Sequence, residues 1–400
     1  MMRIPVVAVA ILLLSACGSS PSRLALEPPA VLADFTPELG VEARWARQLG
    51  KGVDKHFIAL TPLVERDRIY AANRKGLVEA FELESGARLW RNDLAAAING
   101  GPGDGGDMLL IGGDAEVIAL DKRDGQVRWR SAVSSEVLAA PQRGGNVVVV
   151  RSVDGALFGL DAGNGRRLWR YSQPVPLLSL RGVGEPHIEG GMVIAGFDNG
   201  RLVAVSLQDG LPLWEAALAI PRGRTELERL VDVDARLMVR DGVVYAAGYQ
   251  GRIAALTLDS GRLLWTRDFS TWSGLAIAGR DLYVTDIEGN LWAMARSNGG
   301  TLWKQGALRG RAPSAPAVQG GALVVADFAG YVHWLSREDG TMLARMRVED
   351  SEALYPIPSY YPPNGYREDR AVLAAPQVLD DHVYVMDKRG TLNALRVLPD

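Results

Sequence analysis

Cysteine is nearly missing from this 400-residue chain, Cys17 being the only one. A lone thiol forms no internal disulfide, so no covalent brace holds the fold. Histidine is scarce as well: His56, His187, His333 and His382 stand far apart, without the spacing of metal ligands. There is no P-loop and no arguable Ser–His–Asp set. The glycine-rich NGGPGDGGD at 99–107 precedes a strand and reads as a turn between units, not a phosphate cradle. Only six of the 44 basic residues are lysine, a bias of the kind that genomic base composition produces. The formal net charge of −3 argues against a nucleic-acid partner. No later apolar run approaches the roughly eighteen residues of a membrane span. Catalytic, metal-bound and membrane-spanning readings therefore find little support. What remains is a chain 48% hydrophobic, enough to bury a large core, with length for two domains in principle.

The first residues carry an export pattern. Arg3 precedes the apolar run Ile4 to Leu14, too short to span a bilayer, and LSAC ends it at Cys17. LSAC resembles the bacterial lipobox, which implies a signal peptide over 1–16 and acylation of Cys17. Gly18, where inner-membrane retention typically uses Asp, implies by the same resemblance sorting to the outer membrane, facing the periplasm. Several acyl chains would hold the protein far more firmly than one. Residues 17–38, rich in Ser and Pro over 18–35, read as the lipidated end and a flexible tether, and 39–400 as the folded body.

A glycine stands four residues before a tryptophan six times, at Trp90, Trp129, Trp169, Trp214, Trp265 and Trp303. Ahead of these lie alternating runs around turns at Gly76, Gly155, Gly200, Gly251, Gly289, Gly330 and Gly390, each a hairpin signal. Fourteen residues before the turns recur Pro62, Pro141, Pro186, Pro316 and Pro376, with Leu237 and Leu275 in two copies. Proline suits the first residue of a strand, where its missing N–H costs least. Each unit of about 40 residues is therefore four antiparallel strands, a propeller blade. Eight units fit. The last lacks an outer strand after 391–398, and VEARWARQL, with Trp45, has no blade before it. The expected fold is all-β: an eight-bladed β-propeller of four-stranded antiparallel blades, its ring closed by the N-terminal strand joining the last blade. The tryptophans then fill the gaps between sheets. Ala344 stands where the seventh is due, which predicts looser packing there.

The pattern A-x-D-x-x-x-G-x-x-x-W, as in ALDKRDGQVRW at 119–129, resembles the tryptophan docking repeat of pyrroloquinoline-quinone propellers. Two functional classes share that repeat: quinoprotein dehydrogenases, with bound quinone and calcium, and the BamB family, non-enzymatic lipoproteins of the outer-membrane β-barrel assembly machinery. The lipobox, tether and closing strand make the resemblance to the BamB family the closer one. It extends to LLSLRG (177–182) and RLVDVDARL (229–237), loops that in this family grip the periplasmic POTRA domains of the insertase BamA. The resemblance implies partner-facing roles for Leu178, Leu180, Arg181, Asp232 and Asp234, no cofactor, and contact with unfolded outer-membrane proteins or other machinery lipoproteins. Loop lengths point the same way. The connection from Trp to the next strand landmark is 12 residues from Trp129 and 13 from Trp303, but 17 from Trp169 and 23 from Trp214. Long loops on a rigid scaffold are where binding concentrates. A third long loop, 351–369, is rich in Tyr and Pro and reads either as interface or as packing over the seventh blade. A quinoprotein enzyme would need a longer chain and a vicinal cysteine pair. A propeller that binds glycan would show exposed aromatics on its channel face.

Overall fold

Four of the units are organised around a short side chain that folds its own backbone, Asn73, Asp286, Asp327 and Asp387. Asn73 Oδ1 accepts hydrogen bonds from the backbone N–H groups of Lys75 (2.9 Å) and Leu77 (3.1 Å). Asp286 Oδ1 does the same for Glu288 and Asn290, and Asp327 Oδ1 for Ala329 and Tyr331. These Asx turns reverse the chain, and the glycine three residues on adopts positive φ at Gly76, Gly289 and Gly330. The fifth unit departs from this pattern: Gln250, not Gly251, is the left-handed residue, and Tyr249 pairs with Asp232 instead of turning freely.

The computed structural model describes residues 28–53, 56, 58–176, 184–219, 231–233, 235–348 and 371–399. They form eight four-stranded antiparallel sheets, with no helix among the described residues. Blade 1 is Leu63–Val64, Arg68–Ala72, Leu77–Glu82 and Arg88–Asp93, running from the axis outward. Blades 2 to 7 repeat this order. Blade 8 takes Gln377–Leu379, His382–Met386 and Thr391–Val397 from one end of the chain and Val41–Gln48 from the other. The closing pair runs in register from Val41 opposite Val397 to Gln48 opposite Thr391, with Trp45 opposite Ala394. The ring is closed as expected. Second and third strands are buried almost throughout, because neighbouring blades cover both faces; outer strands alternate.

The tryptophans hold neighbouring blades together by one repeated contact. The indole N–H of Trp129 donates to Ala162 O of the next blade at 2.9 Å, and that of Trp214 to Leu258 O at 2.8 Å. Trp45, Trp90, Trp169, Trp265 and Trp303 make the same bond one blade onward. Each ring lies against the glycine three residues beyond its acceptor. A Cβ on Gly165 would come within 2.6 Å of the Trp129 ring, and one on Gly261 within 2.5 Å of Trp214. On its own sheet each tryptophan faces a small residue: Ala80 opposite Trp90, Ala119 opposite Trp129, Gly159 opposite Trp169. A β-bulge follows each such pair. At roughly 25 cal/mol per Å² and 150–250 Å² per ring, each contact contributes about 4–6 kcal/mol before entropy.

The looser packing expected at Ala344 is not found. Ala344 is buried, and the residue opposite it is Trp334, itself fully buried. Large and small have exchanged strands. The reason is topological: the third and outer strands of blade 8 come from opposite ends of the chain, so no glycine turn joins them to receive an indole from blade 7. Trp334 instead donates to Gln319 Oε1 at 2.8 Å, and Gln319 Nε2 reaches Asp380 O of blade 8 at 3.2 Å.

Part of the expected tether lies against this same side of the ring. Glu38 and Leu39 donate backbone N–H groups to Leu343 O, and Ala30 donates to Arg309 O at 2.9 Å. The Arg345 guanidinium sits 5.3 Å above the Phe35 ring, and Arg345 Nη1 donates to Ala33 O. Arg311, buried with Asp327 at 2.7 Å and His333, extends Nη1 to Ala30 O. Burial pushes His333 below its ordinary range, against the attraction of Asp327.

Two outcomes are expected. Trp334→Ala should cost about 3–5 kcal/mol in denaturant unfolding, and adding Ala344→Trp should recover less than half, since blade 8 offers no turn for the ring. Burial raises the Asp387 carboxyl to about 6. Its contribution to stability is therefore greatest below the ordinary carboxylate range and is lost as pH rises through about 6. Asp387→Asn keeps the Asx acceptor that Thr391 N uses, as Asn73 does in blade 1. It should raise the melting temperature at pH 7 and flatten its pH dependence between about 4 and 6.

Candidate docking face and axial channel

The outer strand of each blade leaves on the face that carries the hairpin turns. Leu94 N donates to Gly76 O, Gln173 N to Gly155 O and Leu218 N to Gly200 O, each at 2.9 Å. The connection then runs inward to the next blade's short innermost strand, so all these connections share one face, and the strands they enter line the axis.

The residue just before the Pro or Leu landmark, or before Pro102 in blade 2, lines the axial cavity in all eight blades. Six blades place Thr61, Gly101, Ala140, Gly274, Ala315 and Ala375 there. Blades 4 and 5 place Glu185 and Arg236, paired at 3.4 Å. The cavity is about 440 Å³, within the usual range for ligand sites. Trp272 of blade 6 also lines it and is 54% exposed. None of these three stood out in the sequence. Comparing that one register across blades reveals Glu185 and Arg236, because the others are small.

A second charged cleft lies between blades 1 and 2 and is internally paired. Lys122 bridges Glu65 and Asp104, while Arg128 meets Asp107 and Asp121. The hydrogen bonds from Arg123 and Arg128 hold the Asp121 carboxyl well below the usual range. This is a brace between blades, with its charges already satisfied.

Of the residues expected to face a partner, Leu178, Leu180, Arg181 and Asp234 lie outside the described residues, as does Cys17 and the loop 351–369. Asp232 is described. Its side chain is fully buried, and its backbone bridges Tyr249, with Tyr249 N donating to Asp232 O at 2.8 Å. Val231 and Val233 are buried on either side, Val233 among Ile194, Trp214 and Leu237. Residues 231–233 thus form the packed foot of the second loop. Gly196 and Gly248 make the approach possible: a Cβ on either would strike the backbone oxygen of Val233 or Asp232.

A closed ring of eight blades around an axial channel, seven of its interfaces docked by a tryptophan, is a propeller of the quinone-propeller type. The sequence profile that matches residues 74–305 is described as outer membrane protein assembly factor BamB. A curated BamB of Bordetella pertussis is 37% identical over 393 residues, 98% of this chain and 96% of that protein. One of Pseudomonas aeruginosa is 43% identical over 339 residues, 84% and 89% respectively. The crystal structure of BamB from Moraxella catarrhalis superposes with a TM-score of 0.78 at 25% identity, covering 89% of this chain and all of that one. The chain belongs to the BamB family.

Gly248→Ala should lower stability by about 1–3 kcal/mol, because the clash is with backbone. Gly321→Ala, where a Cβ meets nothing within 4 Å, should leave the melting temperature nearly unchanged.

Proposed function

We propose that the protein is a non-catalytic scaffold subunit of the outer-membrane β-barrel assembly machinery. In this reading it is lipid-anchored at Cys17, faces the periplasm and docks on the POTRA domains of a BamA-like insertase. Membership of a family whose relatives are named outer membrane protein assembly factors carries the reading. The ring suits the role: blades braced on both sides hold the feet of two consecutive long loops in fixed relation, so docking loses little conformational entropy in the scaffold.

The buried foot divides the labour among the loop residues. Leu178 and Leu180 supply apolar contact, Arg181 a planar donor to a carboxylate, and Asp234 a complementary charge. Asp232 maintains the loop base. The outer strands, six residues long in blade 1 and similar elsewhere, leave one unpaired edge per blade. Exposed Leu89, Leu168, Leu213 and Leu302 lie on these strands. An unfolded client strand could pair there, over the part that the bulge leaves straight.

Capture of the full chain by soluble POTRA domains tests the docking. Arg181→Glu and Asp234→Arg should each weaken capture at least about tenfold with melting temperature unchanged, whereas Asp232→Arg should lower the melting temperature first. Undiminished capture by folded Arg181→Glu and Asp234→Arg variants would remove the two loops from the interface.

A further inference from the structure

We propose that the axial channel is a carbohydrate-binding site, taking a pyranose oligosaccharide against Trp272 with Glu185 and Arg236 as its polar contacts. The inference goes beyond docking on an insertase and uses none of the residues assigned to it. Trp272 is unlike the other tryptophans. Seven of the remaining nine dock on the next blade, and Trp292 and Trp334 donate to Asp286 and Gln319. Among the described residues Trp272 makes no such bond; it lines the channel and is 54% exposed. An indole left exposed inside a ring whose other tryptophans are buried or half-buried offers an apolar plate with a free donor at its edge. The C–H face of a pyranose fits such a plate.

The polar partners complete the chemistry. Glu185 and Arg236 interrupt a ring of Thr, Gly and Ala, and at 3.4 Å they set a carboxylate acceptor beside guanidinium donors. Adjacent sugar hydroxyls each donate and accept, so a vicinal pair satisfies both groups at once. The three residues come from consecutive blades, and the Arg236 stem lies against Gly274, two residues beyond Trp272. Gln142 and Gln377 add amides elsewhere on the wall. A peptide fits less well. Added strands need a run of backbone donors, and the innermost strands are two to five residues long, five of them preceded by proline.

Full-length protein in a non-glycosidic detergent, probed by saturation-transfer NMR with chitotetraose, cellotetraose and a short peptide alternating valine and threonine, tests the site. Signal transfer to sugar ring protons is expected with wild type. Trp272→Ala should weaken it at least about tenfold, and Arg236→Ala should weaken it too, giving a second readout should Trp272→Ala fail to fold. Binding of chitotetraose alone identifies an acetamido glycan of the cell-wall kind, and binding of both identifies a general pyranose site. Transfer to neither sugar, transfer to the peptide alone, or sugar binding undiminished in both folded variants overturns the proposal. POTRA capture by Trp272→Ala should be unchanged, which keeps this test separate from the docking reading.

Discussion

The ring stands on one contact repeated seven times: an indole on the outer strand of one blade, held over a glycine turn of the next. Three residues have to agree for it to form. The position opposite the tryptophan must be small, the turn glycine must lack a Cβ, and the carbonyl three residues before that glycine must face the indole N–H. The contact combines apolar burial with a directed hydrogen bond, so it fixes both the spacing and the rotation of neighbouring blades. Without disulfides, this contact and the buried strand faces are what hold the circle.

The eighth interface cannot use that contact, and the structure around it follows from this. Blade 8 is assembled from both ends of the chain, so the glycine turn is missing and the tryptophan moves inward to position 334. Gln319 carries its hydrogen bond across the seam. The stretch 28–39 lies along the same side, tied to Leu343, Arg345 and the buried Arg311–Asp327 pair. The permutation that closes the ring thus also lays the N-terminal stretch onto blades 6 and 7.

The ring's packing also explains why the chemistry gathers at the axis and at the loops. Blade interiors are committed to packing, and even the charged groups there, such as Arg151 with Asp198, are buried in pairs. Side chains that point down the axis meet no neighbouring sheet and are free to vary. Six blades keep that register small; two hold a carboxylate and a guanidinium. The difference between blades, more than the repeat, marks where a ligand can be recognised.

Much of this was legible in the linear chain, because a propeller writes its geometry as a period. The recurrence of Gly-x-x-x-Trp, the strand-opening prolines and the unmatched strands at 41–48 and 391–397 determined the fold, the blade count and the closure. They did so through local rules: turn chemistry, strand alternation and the need to pair an edge. Tertiary structure decided what depends on pairs distant in sequence. That Trp334 replaces the indole missing at 344 appears only once the two strands face each other. That Asp232 turns inward follows from the space left by Gly196 and Gly248, and that Trp272 is exposed follows from its place on the axis. Sequence fixes what each strand prefers, but which side chain finds room and which is left in water depends on neighbours that the fold brings together.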